Sequence, residues 1–423
     1  MRGRLPATIR DGAGWLRRFA RTAPGRMGLV VVGLVIVSLV SGLVCANEFG
    51  DKRTRRDTVL QYTEPLANAA QRLYVALSAA DAAASAAFLS GGIESTEVRT
   101  RYRQALADAA AALAEATAGA SDSRTREIVA RIAADLPTYT GLVESARANN
   151  RQGLPVGSAY LRQASELMQD TLLSKAQELE QTRLAALHEQ QRVISGPPLL
   201  GVVLLVLLLI GCAIGSRELL RHTNRRVNLG VLTAGGAAAL TLLWIASATI
   251  AATTAVDTGN HGATARFETL AKARILAQQA RTEETLLLVT RGDVDASETR
   301  YAEMSTALRD SLLSVLSADS PATQAFSSWQ DSHVAQIASY RGNEYNAAVQ
   351  RSIGAGTDSA AARFAALDEA LRTDLEQTRE RVRDGVDAAG DALILAPQGT
   401  LVLLFAAAAA VVLGVWPRLK EFL

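Results

Sequence analysis

Four long apolar segments constrain this chain more than any other feature of its sequence. They comprise residues 28–46, 198–215, 229–256 and 393–416, and none of them contains a charged residue. Each is long enough to cross a bilayer, for which an α-helix needs about 17 to 25 residues. Inside lipid, a single segment can satisfy its backbone hydrogen bonds only as a helix. The sequence therefore predicts four transmembrane helices.

Outside these segments the sequence also favours helix. Aromatic residues make up only 5% of the chain, and proline occurs 10 times in 423 residues. Alanine, the strongest helix former, is abundant. No long alternation of β-branched and polar residues predicts a strand. We therefore expect an all-α membrane protein.

Charge is distributed unevenly between the segments that separate the spans. Residues 1–27, 216–228 and 417–423 together hold 13 basic and 3 acidic residues, whereas residues 47–197 and 257–392 hold 31 basic and 39 acidic residues. Basic segments stay on the cytoplasmic side. We therefore expect a multi-pass protein of the cell membrane. Both termini and the central loop would lie inside, and the two long segments outside.

The first apolar segment has an alternative interpretation. Val44, Cys45 and Ala46 satisfy the small-residue rule for a cleavage site, so the segment could be a cleaved signal peptide. However, the apolar run is longer than a usual signal sequence, and the leader before it is also long. We therefore favour a transmembrane helix.

Small residues recur at a spacing of four in all four apolar segments. This spacing lets two helix backbones approach closely. We therefore expect the spans to pack against one another as one membrane core. The pairs are Ser38 with Gly42, Gly211 with Gly215, Gly235 with Ala239, and Ala410 with Gly414.

The two halves of the chain share short phrases. Thr-Arg-Tyr occurs at residues 100–102 and 299–301, an offset of 199, and Leu-Glu-Gln-Thr-Arg occurs at residues 179–183 and 375–379, an offset of 196. Nearly equal offsets predict an internal duplication. Each unit would consist of a span, an exported domain and a second span, and both units would have the same orientation.

Helix-breaking residues divide each long segment into four helices. The breakers fall at residues 90–92, 118–121 and 149–155, and again at residues 291–293, 318–321 and 353–357. The helix after each third breaker carries apolar residues four or seven positions apart. This pattern is typical of a four-helix bundle. We therefore predict two tandem extracytoplasmic four-helix bundles.

The sequence contains no recognisable catalytic or metal-binding pattern. The four histidines, at residues 188, 222, 261 and 333, are far apart and belong to no metal-ligand motif. No phosphate-binding loop or nucleophile motif is present, and the segments predicted to be cytoplasmic are too short for a catalytic domain. We therefore expect a protein that is not an enzyme, requires no cofactor or metal ion and binds no nucleic acid.

The duplicated Thr-Arg-Tyr phrase supplies the candidate binding residues. Arginine and threonine together suit a carboxylate, because the guanidinium offers a fixed fork of donors and the hydroxyl adds another. Tyrosine and arginine also dominate protein interfaces. We expect a partner-docking tip, which would include residues 149–157 and 342–358, or a direct amino-acid site. The candidates are Thr100, Arg101, Tyr102, Thr299, Arg300 and Tyr301.

The alternative is that these residues have only a structural role. The arginines would then form surface ion pairs, and the tyrosines would pack inward. The neighbouring acids available for such pairs are Glu94, Glu97, Glu298 and Glu303.

The central loop is a candidate surface on the cytoplasmic side. Its arginines are Arg217, Arg221, Arg225 and Arg226, against a single acid, Glu218. Attraction to anionic membrane lipid is one interpretation. Docking of an acidic cytoplasmic protein is the other, and the two are compatible.

The predicted architecture resembles the four-helix ligand-binding domain of bacterial chemoreceptors, here doubled within one chain. With its four spans and the phrase NNRQGLPVGSAYL at residues 149–161, the chain also resembles the GlnX-type membrane proteins of actinobacteria. That resemblance implies an exported amino-acid-binding lipoprotein, GlnH, and a cytoplasmic serine/threonine kinase, PknG, as partners. The chain would then relay an extracytoplasmic amino-acid signal to the kinase.

A structural role is the alternative function. The same helices could serve as spacers in a membrane scaffold or an envelope-organising protein that does not switch. A transducer needs two states of its packed helices, whereas a scaffold needs only one.

The predicted topology can be tested by cysteine labelling. In a variant whose two native cysteines are replaced by serine, single cysteines at Ser121 and Ser320 should react with a membrane-impermeant maleimide in intact cells. A cysteine at Ser216 should react only after permeabilisation, because it follows the second span. Labelling of the Ser216 position in intact cells would reverse the proposed orientation.

Overall fold

The computed structural model confirms the all-helical prediction. Across the described residues, helices and turns account for the regular structure, and no strand is present. The described residues are 23–91, 96–223, 229–256, 262–291, 293–354, 356–392 and 396–420.

The first half of the chain is a series of long helices joined by short turns. Two π-helical turns, Val59–Thr63 and Met168–Leu173, connect helices without a loop. The helices are α1 (Ala23–Thr58), α2 (Glu64–Leu89), α3 (Thr96–Gly119), α4 (Ser123–Arg151), α5 (Val156–Leu167), α6 (Ser174–Ser195) and α7 (Leu199–Thr223).

The second half has a similar order of long and short helices. The helices are α8 (Leu229–Val256), α9 (Ala263–Thr290), α10 (Val294–Val315), α11 (Pro321–Arg341), α12 (Tyr345–Ile353), α13 (Ala360–Ala392) and α14 (Ala396–Lys420).

Short polar side chains within or directly after the predicted breakers begin two of these helices. Asp122 accepts a hydrogen bond from the Thr125 N–H at 2.9 Å at the start of α4. Ser320 accepts one from the Thr323 N–H at 3.2 Å at the start of α11. Both bonds satisfy an N–H group that has no partner within its helix. Asp122, directly after one breaker, and Ser320, within another, therefore help to fix where α4 and α11 begin.

Four helical runs are long and apolar enough to cross a membrane, as the sequence predicted. They are Gly28–Leu89, Val156–Glu218, Leu229–Thr254 and Ala360–Trp416. Three of the four runs are far longer than a bilayer requires, because helical sequence extends beyond the apolar stretch, and in Gly28–Leu89 the helix continues without a break. The chain is a membrane protein.

One compact unit, here called the membrane unit, contains residues 23–57, 192–256 and 386–420 of the described chain. Its core combines apolar residues of α1, α7, α8 and α14. Small residues lie where these helices meet. The Ser38 hydroxyl donates to the Leu404 carbonyl at 2.7 Å, and a side chain added at Gly211 or Gly215 would meet α1 within 3.0 Å.

The other compact unit, here called the bundle unit, contains residues 58–191 and 257–385, apart from the positions that are not described. It has two principal apolar cores. Helices α2 to α6 of the first half supply almost all of the first core. Helices α9, α10, α11 and α13 supply most of the second. Each half therefore buries its own apolar face.

The two halves also contact each other within the bundle unit. The Gln279 amide on α9 donates to the Tyr74 hydroxyl on α2 at 2.8 Å. Glu64, only 4% exposed, accepts hydrogen bonds from Arg379 and Arg383 on α13. A buried carboxylate that lost these partners would be costly. The ion pairs therefore help to hold the halves together.

The close approach of α8 and α14 in the membrane unit gives a testable prediction. A Cβ at Gly230 would meet the Ala410 carbonyl oxygen and the Gly414 Cα, which are backbone atoms. We expect Gly230→Leu to reduce stability by about 1–3 kcal/mol, as overpacking usually does. The measurement is thermal unfolding of the detergent-solubilised protein.

A matched control lies on the same helix. Gly236 is exposed, and a Cβ there would have no atom within 4 Å. Gly236→Leu should therefore unfold near the wild-type temperature. Equal unfolding temperatures for the two variants would show that α8 and α14 do not pack as described.

Candidate functional site

The first copy of the Thr-Arg-Tyr phrase lies on α3 and has its side chains on different sides of the helix. Thr100 and Arg101 are exposed, and the Thr100 hydroxyl donates to the Thr96 carbonyl at 2.8 Å. Tyr102 is 3% exposed and belongs to the first core, with the Arg147 guanidinium 5.2 Å from the centre of its ring. The threonine and arginine therefore face outward, and the tyrosine packs inward.

The second copy lies on α10 in a similar arrangement. The Thr299 hydroxyl donates to the Asp295 carbonyl at 2.8 Å. Arg300 is exposed and forms an ion pair with Glu283 of α9, to which its Nε donates at 2.9 Å. Tyr301 is buried and stacks on His333, with the ring centres 3.6 Å apart. Arg300 thus pairs with an acid of the neighbouring helix α9.

The arginines predicted to face the cytoplasm are only partly covered by the structure. Arg217 is exposed near the end of α7. The Arg221 side chain, Arg225 and Arg226 lie outside what the structure describes. Their role in binding lipid or a protein partner stays a prediction.

A cleft of about 1090 Å³ lies between helices of the two halves in the bundle unit. Helices α2 and α3 form one wall, and α9 and α13 form most of the other, together with Ile353 of α12. Thr100 and Arg101 are part of the lining, whereas Thr299 and Arg300 are not. The structure therefore brings one copy of the candidate pair to a cavity and leaves the other on a separate surface.

Buried polar groups line this cleft. Arg274, 8% exposed, forms two hydrogen bonds with the Asp368 carboxylate, at 2.8 and 2.9 Å. Gln278 donates to the same carboxylate at 3.1 Å. Arg281, 5% exposed, donates to the Ser352 carbonyl at 3.0 Å. Paired arginines and amides hold a polar surface in place along α9.

Asp81 of α2 is a buried acid within the first core. Its carboxylate accepts hydrogen bonds from the Ser165 hydroxyl at 2.8 Å and from the Gln169 amide and Tyr139 hydroxyl, both at 3.3 Å. Burial raises the pKa of Asp81 above its ordinary value, and these hydrogen bonds offset only part of that effect. No basic side chain is among these hydrogen-bond donors.

The second core contains an ionic network instead. Glu284 pairs with Arg281, accepts a hydrogen bond from the Trp329 indole at 3.3 Å, and lies 3.0 Å from the His333 Nδ1. The other ring nitrogen of His333 is 3.0 Å from Glu298. Burial lowers the His333 pKa, but the two carboxylates outweigh this effect and raise it to about 9.

Glu284 has the complementary shift. Its burial alone would raise the pKa, but Arg281 and His333 lower it below the ordinary value. The protonated histidine and the ionised carboxylate therefore stabilise each other.

A further buried acid, besides Glu64, lies where the halves meet. Glu180 of α6 is 5% exposed, and burial together with the charge of Glu268 raises its pKa to about 7. Glu268 lies on α9 and is also 3.7 Å from His188, which is on α6 like Glu180. Among the residues that the structure describes, no group of three or more acids, histidines or cysteines could hold a metal ion.

Reasoning from the sequence missed most of these polar residues. Asp81 is the only charged residue between Val75 and Leu89, and a lone acid in an alanine-rich helix is a signal that could have identified it. His333 has no such signal, because its partners lie 35 and 49 residues away along the chain. The cleft joins two halves of the chain and has no sequence motif of its own.

Comparison with known proteins identified one relevant family. Residues 55–192 match the family described as an actinobacterial sensor domain. This segment includes α2 to α5 and most of α6, the helices that form the first core. No curated protein and no solved structure matched the chain. The match indicates a sensing or signalling role, which is in general not a catalytic one.

The ionic network predicts a pH-dependent stability. The pKa of His333, about 9, exceeds its ordinary value of 6.5, so its contribution is complete below about pH 6.5 and is lost as the pH rises through 9. We expect the unfolding temperature of the wild type to exceed that of His333→Gln at low pH. The difference in unfolding free energy between the two proteins should be on the order of a few kcal/mol at low pH. This difference, and with it the difference in unfolding temperature, should narrow as the pH rises.

The control for this measurement is His188→Gln. The His188 side chain is 43% exposed and makes a looser contact with Glu268, so its removal should change the unfolding temperature little. A gap between wild type and His333→Gln that stays constant with pH would show that His333 is not protonated in the folded protein.

Proposed function

We propose that this chain is a non-enzymatic membrane signal transducer. One observation carries the proposal: the segment that matches a sensor domain shares its helices with apolar, membrane-crossing stretches. The run Gly28–Leu89 enters the matched segment, and the run Val156–Glu218 leaves it. Because the π-helical turn Val59–Thr63 joins α1 to α2 without a loop, a shift of α2 can move α1, which contains the first apolar stretch.

The two π-helical turns support a mechanism based on helix shifts. Both Val59–Thr63 and Met168–Leu173 lie within the matched segment. π-helical turns are rare and occur frequently at functional sites. We infer that the helices of the first half change register at these turns when the signal arrives.

We assign the input to an exported amino-acid-binding lipoprotein that resembles GlnH. The resemblance to GlnX-type proteins supports this assignment. The exposed Thr100 and Arg101 on one side, and Thr299 and Arg300 on the other, would supply contacts to the partner. The buried tyrosines of both copies would instead keep α3 and α10 in register with their neighbours.

We assign the output to a cytoplasmic serine/threonine kinase that resembles PknG. The segments predicted to be cytoplasmic are short and basic, which favours docking of an acidic partner and contact with anionic lipid. The four membrane-crossing helices, with both termini inside, are part of the proposal. The chain would then couple an extracytoplasmic amino-acid signal to phosphorylation without binding ATP.

A phosphorylation experiment in intact cells tests this function. Aspartate or glutamate added to the medium should change the phosphorylation of cytoplasmic kinase substrates in wild-type cells. The change should be absent in cells that lack this chain. Cells with Arg101→Ala and Arg300→Ala together should show a weakened change, because the exposed guanidinium groups would no longer contact the exported partner. Quantitative phosphoproteomics measures the response.

The control variant is Arg131→Ala, which removes an exposed guanidinium that pairs with Asp135 on α4. This variant should respond like the wild type, and all of these variants should remain within about 1 kcal/mol of wild-type stability. An unchanged response in cells that lack the chain would refute the transducer and favour the scaffold.

A further inference from the structure

A joint that contains two prolines separates α6 from α7. It consists of residues 196–198, a glycine followed by the prolines, and α7 begins at Leu199. In a continuous helix, the carbonyls of Val193 and Ile194 would accept from the N–H groups four residues later. Those positions are the two prolines, which have no N–H. The chain thus lacks two of the backbone hydrogen bonds that would hold α6 and α7 in line.

Lys52 of α1 supplies a donor on the α6 side of the joint. Its ammonium donates to the Ile194 carbonyl at 3.1 Å and also to the Gly196 carbonyl. Lys52 is only 7% exposed, so these carbonyls replace the water that its charge would otherwise bind. A cation at the C-terminal end of a helix also interacts favourably with the helix dipole. Lys52 therefore takes the place of the N–H group that Pro198 lacks.

Glu48, one turn earlier on α1, binds the α7 side of the joint. Its carboxylate accepts from the Leu200 N–H at 3.3 Å and from the Gly201 N–H at 2.9 Å. Both N–H groups belong to the first turn of α7 and have no partner within that helix. A negative charge is also the favourable one at this end of a helix. Two side chains of α1 therefore cap both of the helix ends that meet at the joint.

Gly201 lets α1 come this close to α7. A Cβ at this position would lie 2.6 Å from the Cys45 Sγ and 2.9 Å from the Glu48 Oε2, closer than Cβ atoms approach other atoms in proteins. The glycine thus leaves space for the carboxylate. A side chain at Gly201 would displace Glu48 without removing its charge.

We propose that residues 196–198 form a hinge between α6 and α7, and that Glu48 and Lys52 of α1 lock it. With both side chains in place, α7 keeps one orientation relative to the last turn of α6. A displacement of α1 would withdraw both caps together, because the two residues are one turn apart on the same helix. The unlocked joint would then allow α7 a second orientation, which makes it a two-state element.

This inference rests on the proposed sensory function and gives the signal a route to the second span. The π-helical turn Val59–Thr63 joins α1 to α2 without a loop, so a shift of α2 would reach Glu48 and Lys52. The route does not require α6 and α7 to form one continuous helix. The state of the hinge is measured on the purified chain without any partner, so the hinge and the signalling role can fail separately.

The test is a distance measurement by double electron–electron resonance on the full chain, with one chain per nanodisc. Spin labels are attached to cysteines at Val193 and Ile214, which are exposed on either side of the joint, and the native cysteines are replaced by serine. The otherwise unchanged chain should give a single narrow distance distribution. Lys52→Met and Glu48→Met should each lose it and give a broader distribution or a second distance, because each removes one cap.

Gly201→Ala tests the lock without a change of charge. Its Cβ would meet the Glu48 carboxylate, so the distance distribution should broaden as in Glu48→Met. Gly50→Ala is the matched control, because a Cβ there would have no atom within 4 Å. Arg55→Met controls for the loss of a basic side chain from α1, since Arg55 is exposed and forms no ion pair with a residue that the structure describes. Both controls should match the unchanged chain.

A circular dichroism melt checks that every variant folds. The hinge is overturned if Lys52→Met, Glu48→Met and Gly201→Ala all fold and keep the single narrow distance. A chain that already gives several distances with Glu48 and Lys52 in place would also overturn it.

The phosphorylation experiment shows whether release of the hinge carries the signal. In cells with Lys52→Met, the phosphorylation of kinase substrates should no longer depend on the added amino acid. A response equal to that of the wild type would overturn the role of the hinge in signalling. A locked hinge in nanodiscs, together with no amino-acid response in wild-type cells, would refute only the proposed function.

Discussion

Lipid offers no hydrogen-bond partner to a peptide group, and the rest of this structure depends on that constraint. An apolar segment in a bilayer must satisfy its backbone internally, and for a single segment the only solution is a helix. Three of the four apolar helical runs then continue into polar sequence, and Gly28–Leu89 alone is 62 residues long. The bundle unit is therefore built in part from helical sequence that extends beyond an apolar stretch, as in Gly28–Leu89.

Alanine determines how closely the helices of the bundle unit can pack. The first core includes alanines on α2 and α3, and the second includes Ala273, Ala277 and Ala280 on α9. Small side chains bring backbones together where they face each other, and they leave space where no neighbouring helix fills it. Close packing within each half and an open cleft between the halves therefore have the same compositional cause.

The helices could be predicted from the sequence because their determinants are local. Apolar length identified the four long helices, and Gly, Pro and short polar residues marked their ends. The polar contacts could not be predicted, since they depend on which helices meet. The repeated Leu-Glu-Gln-Thr-Arg phrase shows why: Arg183 donates to Asp122 at 2.8 Å within the first half, whereas Arg379 reaches across to Glu64. Identical sequence has different partners once the helices pack differently.

The two halves have a similar order of helices, but their buried acids have different kinds of hydrogen-bond partner. Asp81 is surrounded by neutral donors, so burial raises its pKa, whereas Glu284 has Arg281 and His333, which lower its pKa. A carboxylate with cationic partners holds its neighbours more tightly than one with neutral partners. Removing a partner from an ionic network is also more costly. In the transducer that we propose, the second half would therefore be the support against which the helices of the first half, with their two π-helical turns, shift.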